Sequence, residues 1–285
     1  MHIMYEIIIM AKWYLTMKKF IKCVAVAIIF TEAFFVGVGI GVVKDRIISK
    51  KSVTVANAGD WGLGFGAEGT KPTGTESADT LKEYDAYYMA QSDEKILYLT
   101  FDCGYENGNT PAILKALKKH KVPATFFVVG HFINENEDLI KQMVKEGHNV
   151  GNHTFNHSQL TKLGFDEAVE EINTTNAWIT NISGYTPEYI RPPFGSFTDE
   201  LLSETSMSVV MWNVDPLDWK YKNKDIVTDK ILKNVKNGDI ILMHDIFESS
   251  VDAAQTVIKE LKKQDYVFVT VDKMNSNKQI IRRDK

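Results

Sequence analysis

The sequence predicts an α/β protein whose parallel strands form a small, incomplete barrel. Three observations predict it. After residue 95, short β-rich apolar runs alternate with amphipathic stretches of helical spacing. About seven such units occupy roughly 175 residues, fewer than the eight of a full α/β barrel. The polar residues Asp102, His153, Arg191, Asp218 and His244 all fall at or just past the C-terminal ends of predicted strands. Parallel barrels assemble their active sites on that face.

The elements follow in order. Residues 96–102 read as a strand and 111–120 as its helix, with Asn109-Thr110-Pro111 supplying a cap and a first-turn proline. Residues 124–129 and 137–146 repeat the unit, and Gly147 closes the second helix. Strand 148–152 precedes helix 166–182, and strand 189–191 precedes helix 198–205. Strand 208–214 leads to helix 224–235, strand 239–244 leads to helix 251–263, and strand 266–271 closes the series.

Composition and flanks set the context. With 285 residues, 44% hydrophobic and 25% charged, the chain can bury a sizeable core and is not disordered, collagen-like or polytopic in a membrane. A formal net charge of -4 gives no basic footprint, so no nucleic-acid partner is expected. Two cysteines, Cys23 and Cys103, cannot build a disulfide framework. Lys18, Lys19 and Lys22 precede an apolar run over residues 23–43, broken only at Thr31 and Glu32. Residues 17–43 therefore read as a signal peptide or membrane anchor, with the domain outside the cytoplasm. An Ala56-Asn57-Ala58 cleavage pattern lies well beyond the run, which favours an uncleaved anchor. Met17-Lys18-Lys19-Phe20 looks like a secretory start, so residues 1–16 read as a non-native extension.

Residues 44–94 read as a linker and lead-in arm. The glycine pattern at residues 62–67 lacks the preceding strand and following helix that a dinucleotide site needs. Residues 81–89 read as a short aromatic helix leading into the catalytic domain, 95–272. Residues 273–285 form a basic tail, expected to be solvated.

Five segments carry chemistry. His153 and His157 stand four residues apart, which on a helical turn would let both imidazoles grip one cation. Asp102 and Cys103 end the first strand, where a carboxylate and a thiol can also be ordinary cap and filler. Arg191-Pro192-Pro193-Phe194-Gly195 is a rigid turn whose guanidinium suits a carboxylate. Asp215 and Asp218 stand beside Trp219, and Leu242-Met243-His244 ends an apolar strand with a lone histidine.

In this order across residues 96–271, Thr100-Phe101-Asp102-x-Gly104, His153-Thr154-x-x-His157, Arg191-Pro192-Pro193-Phe194-Gly195, Asp215-x-x-Asp218-Trp219 and Leu242-x-His244 resemble the motifs of polysaccharide deacetylases. These are the NodB-homology domains of carbohydrate esterase family four. The resemblance implies a distorted (β/α)7 barrel that binds one divalent metal and removes N-acetyl groups from a sugar polymer; zinc is the metal expected, and the chain is expected to be a monomer. It implies that Asp102 is the general base, held by Arg191, and that His153 and His157 ligate the metal. His244 would be the general acid, held by Asp218. The Phe194 backbone N–H would help stabilise the oxyanion, with Trp219 and Leu242 lining the acetyl pocket.

A finer resemblance rests on Gly104-Tyr105-Glu106-Asn107-Gly108-Asn109-Thr110-Pro111, Trp61-Gly62-Leu63-Gly64-Phe65 and Tyr84-Asp85-Ala86-Tyr87-Tyr88. This combination is similar to the sporulation branch that acts on N-acetylmuramic acid in peptidoglycan glycan strands during muramic δ-lactam formation. Two positions depart from the wider family. Cys103 stands where most members carry a metal-binding Asp, so it either ligates the metal as a thiolate or is a spectator. Residues 202–208 are also shorter than usual, so the helix there must be short or its turn tight. Rival readings are an N-acetylglucosamine deacetylase of the same fold, an inactive glycan-binding module, and an amidase acting on peptide stems.

Overall fold

The computed structural model describes residues 63–64, 73–74, 78–83, 85–90, 92–195 and 197–274. They belong to one compact unit, Ala56–Lys285. The readings made for residues 1–43 and for the tail after residue 274 lie outside the described residues. Among the described residues, no helix is long and apolar enough to cross a membrane.

Leu63–Gly64 (β1) and Thr73–Gly74 (β2) pair antiparallel, so part of the expected linker forms a small ladder. The main sheet contains Ala86–Tyr87 (β3), Ile96–Cys103 (β4), Thr125–Val128 (β5), Asn149–Asn152 (β6), Tyr189–Ile190 (β7), Ser208–Val210 (β8), Ile240–His244 (β9) and Val267–Val269 (β10). Every pairing between these strands is parallel. β4 is central, with Tyr98–Asp102 opposite Ile240–His244 of β9. Its first residues pair with β10 and its last with β5. The sheet continues through β6, β7 and β8 to β3. Bridges from Val214 to Ile241 and from Met89 to Asp239 bring that far end back to β9, producing the incomplete barrel.

The packing follows from alternation along each strand. All eight residues of β4 are buried, as expected where both faces of a parallel sheet are covered. Leu97, Leu99, Phe101 and Cys103 face the outer helices in one core, whereas Ile96 and Tyr98 face the barrel interior in another. Phe101 stacks on Phe126 of β5 with ring centroids 5.2 Å apart. Helices Thr110–His120, Glu137–Lys145, Lys224–Asn234 and Glu248–Lys263 contribute buried apolar residues to this outer core. Truncating a fully buried member such as Leu99 to Ala costs about 2–5 kcal/mol.

Three elements differ from expectation. The lead-in is helical only over Ala78–Glu83; the chain turns at Asp85 (φ 59°) and continues as strand β3. The open edge of β8 supplies the reason: Val209 N–H donates to Asp85 O and Met211 N–H to Tyr87 O. Backbone pairing there outweighs the helical pattern, and the arm is part of the sheet. Helices Gly130–Glu135 and Asp218–Tyr221 were not anticipated, being too short to show a period. The expected tight turn after residues 199–205 is present: helix Asp199–Thr205 has seven residues and ends on Ser206 at φ 51°, a conformation that usually selects glycine.

Candidate active site

Parallel strands deliver their C-terminal ends to one rim. Asp102 lies near the end of β4, His153 follows β6, Arg191 follows β7 and His244 ends β9. The interior face of β4 carries Asp102, so its carboxylate enters the cavity while Cys103 points the other way.

Asp102 is nearly buried and its two oxygens have different neighbours. Oδ1 accepts a 2.7 Å hydrogen bond from Arg191 Nη1, and Oδ2 lies 3.5 Å from His153 Nε2. Arg191 is fully buried, with Nε and Nη2 donating to the carbonyls of Val210 and Met211 at 2.9 and 3.0 Å. Its guanidinium lies 4.2 Å from the Phe127 ring centroid. A charge so buried needs such partners, and they leave it one way to hold the carboxylate. Burial opposes the charge on Asp102, but Arg191, His153 and His244 outweigh it and hold the carboxyl below its usual range.

The histidine pair is not on a helical turn. Residues 153–157 form a loop after β6, with Thr154 and His157 at φ 65° and 57°. Side chains fix that loop. Asn152 Oδ1 accepts from Thr154 N–H, Asn152 Nδ2 donates to Ile172 O and Asn176, and Asn156 donates from backbone and side chain to the Glu171 carboxylate. The two imidazoles nevertheless meet edge to face, with centroids 4.9 Å apart. His153 Nδ1 lies 2.6 Å from Arg191 O, a carbonyl that can only accept, so Nδ1 carries the proton. Burial pushes this imidazole down to about 4 despite the Asp102 carboxylate, and burial also lowers His157. Both rings are therefore neutral at neutral pH, and His153 Nε2 has a free lone pair on the Asp102 side.

A second acid–base pair faces them. Asp218, fully buried, uses Oδ1 to accept from His244 Nδ1 at 2.8 Å and from Trp219 N–H at 3.0 Å. Its Oδ2 accepts from His244 N–H at 2.8 Å and Ser250 Oγ–H at 2.7 Å. Burial disfavours the imidazolium of His244, but hydrogen bonding and charge from Asp218 prevail and hold it above its usual value. The imidazole pair is thus biased toward its neutral form and the lone imidazole toward its protonated form within a single site.

Asp102, His153, His157, Phe194, Trp219, Leu242 and His244 line one cavity of about 1180 Å³. Phe194 (69% exposed, φ 59°) and Trp219 (49% exposed) form its rim, whereas Leu242 is buried in its wall. The structure brings together all the sequence-predicted residues except Cys103. That thiol packs in the outer core, and burial followed by the Asp245 charge pushes it well up, so it remains protonated. Asn152, Glu171 and Ser250 support the site without having been anticipated; only Asn152, a polar residue ending a buried strand, left a sequence signal.

The donor chemistry suits a divalent cation with open coordination positions. Two neutral imidazoles stand beside an ionised carboxylate, a set that matches an incomplete, catalytic shell better than a closed structural one. Among the described residues, no three His, Cys, Asp or Glu side chains are placed so that together they could hold a metal ion.

A family profile described as polysaccharide deacetylase matches residues 90–208. The chain is 38% identical over 229 residues to a protein of Bacillus subtilis, across 78% of this chain and 87% of that one. This chain belongs to the polysaccharide deacetylases, which are metal-dependent hydrolases. The Bacillus relative is PdaA, a peptidoglycan-N-acetylmuramic acid deacetylase. Its solved structure, a family 4 carbohydrate esterase, superposes with a TM-score of 0.69 over 75% of this chain and 95% of that one. PdaC of B. subtilis, also a peptidoglycan-N-acetylmuramic acid deacetylase, is 44% identical over 186 residues, which are 65% of this chain and 40% of PdaC. Its solved domain superposes with a TM-score of 0.62 over 64% of this chain and 90% of that one. PgdA of Listeria monocytogenes, a peptidoglycan-N-acetylglucosamine deacetylase, is 40% identical over 184 residues, again 65% of this chain and 40% of PgdA.

Proposed function

We propose that this chain hydrolyses the N-acetyl group of N-acetylmuramic acid in peptidoglycan glycan strands, outside the cytoplasm. The observation that carries the proposal is the pairing of Asp102 with Arg191 across one cavity from His244 with Asp218. An amide resists hydrolysis at neutral pH, so it needs a base for water, charge stabilisation at the carbonyl and an acid for nitrogen. His153 and His157 would hold a divalent ion, zinc in this proposal, which would supply Lewis acidity for the carbonyl and for water. Asp102 takes the proton from the attacking water, and Arg191 keeps its carboxylate aimed and ionised. The water oxygen bonds to the acyl carbon, the C–N bond breaks, and His244 gives its proton to the departing nitrogen. Acetate and a free amine result. Asp218 stabilises His244 as imidazolium until that transfer. The Phe194 backbone N–H supports the oxyanion, and Leu242 and Trp219 enclose the acetyl methyl. Cys103 acts only as packing.

The names of PdaA and PdaC support muramic acid as the target sugar, and this chain spans 87% of PdaA. In the same reading the amine then closes to a muramic δ-lactam in spore cortex, residues 17–43 carry the monomeric domain to the membrane, and the metal identity is zinc. A second reading, deacetylation of N-acetylglucosamine, is favoured by the similarity to PgdA. Mass spectrometry of muropeptides after treatment with the full-length chain tests between them. Loss of acetyl mass on muramic residues is expected; loss confined to glucosamine residues selects the second reading.

A further inference from the structure

Asp215 lines the cavity, yet none of the chemistry above uses it. Its position is set by the sheet. Val214 bridges to Ile241, and Leu242 N–H donates to Val214 O at 3.0 Å, so the chain emerges at Asp215 beside Leu242 of the cavity wall. There it turns: Leu217 N–H donates to Asp215 Oδ1 at 2.8 Å, and Leu217 adopts φ 56°. This turn carries two carboxylates with opposite fates. Asp218 spends both oxygens on four protein donors beneath His244. Asp215 spends Oδ1 on Leu217, and its Oδ2 has no partner among the described residues.

The substrate brings a matching need. A secondary amide drawn into a cavity carries one N–H donor, and a buried donor without an acceptor costs about 1–3 kcal/mol. Asp102 is engaged by Arg191 beside the imidazole pair, and Asp218 is saturated. His244 must donate rather than accept at the nitrogen. We propose that Asp215 accepts a hydrogen bond from the acetamido N–H, aiming the lone pair that forms on nitrogen at the His244 proton. The electron pair of the breaking C–N bond stays on nitrogen, the proton comes from His244, and Asp215 neither gains nor loses one. The free amine then takes up the proton released as the acetic acid ionises to acetate, and the resulting ammonium forms an ion pair with the same carboxylate. This inference rests on the deacetylase reading above.

The test compares two acetyl substrates with the full-length, metal-loaded chain: an N-acetylated glycan strand, and 4-nitrophenyl acetate, whose ester has no N–H. Asp215→Asn preserves the size of the side chain and an oxygen for Leu217. It is expected to lower kcat/KM on the amide by about 10- to 100-fold, as for loss of one charge-assisted hydrogen bond. Turnover of the ester should stay within about twofold of the unaltered chain, which also shows that the variant folds. Inhibition by the deacetylated strand should weaken by about tenfold. Equal losses on both substrates, no loss on the amide, or an amide loss with undiminished product inhibition would each overturn the assignment. Failure of the unaltered chain to release acetate from any glycan would instead remove the deacetylase reading itself.

Discussion

Replacing Asp218 by Asn tests the electrostatic division of the site. Asp218 is fully buried and accepts four hydrogen bonds, of which the 2.8 Å contact to His244 Nδ1 is the one that favours imidazolium. An amide offers one acceptor oxygen where the carboxylate offers two, and it carries no charge. Loss of a charge-assisted hydrogen bond at such a position costs about 1.5–3 kcal/mol. That corresponds to about a 10- to 100-fold smaller imidazolium-to-imidazole ratio, and to a loss in kcat/KM at neutral pH of up to that factor. The sign is definite. His244 is held above its ordinary value in the native site, so activity persists to higher pH and is lost as pH rises through that raised value. In Asp218→Asn the alkaline limb should move to lower pH, and activity should recover in part as pH falls. Initial rates of acetate release between about pH 5 and 10 would show this; a uniform loss with the alkaline limb unmoved would refute it.

Other predictions follow from particular contacts. Burial pushes Asp245, which also accepts a 2.8 Å bond from Thr110, up to about 7. With an unfolded value of about 3.9, its contribution to stability is full below that pH and is lost as pH rises through about 7. The chain should therefore lose stability relative to Asp245→Asn over that window, by up to a few kcal/mol in denaturant melts. A Cβ on Gly151 would lie 2.5 Å from the Phe127 ring and 3.1 Å from Tyr189 O. Gly151→Ala should cost about 1–3 kcal/mol and lower activity too, because Phe127 packs against the Arg191 guanidinium. His153→Ala should lose tightly bound metal in elemental analysis and lower kcat/KM by at least about 100-fold, and added zinc should not restore it.

Alternation made much of the fold legible. The helix Lys224–Asn234 lies within one residue of its predicted span, because its apolar spacing and its flanking strands agree. The helix expected over residues 81–89 gives way to strand Ala86–Tyr87 because tyrosines at mixed spacing suit either element, and the deciding partner, the β8 edge, is more than a hundred residues away. Within the site, Asp102 and Arg191 could be paired from the sequence only by resemblance. What brings them together is β-sheet order, which no local pattern encodes. The histidine spacing suggested a correct neighbourhood for an incorrect reason: a loop pinned by Asn152 and Glu171, not a helical turn, juxtaposes the rings. The exclusion of Cys103 follows from strand parity, since adjacent residues on β4 face opposite sides.

The most direct measurement is stoichiometric acetate release from defined glycan strands by the full-length chain with zinc, alongside Asp102→Asn. One acetate per muramic residue from the unaltered chain, and a rate reduced by at least about 100-fold in the variant, is the predicted result. Acetate from the variant at the unaltered rate, or none from either protein, would contradict a water-activating carboxylate at the barrel mouth.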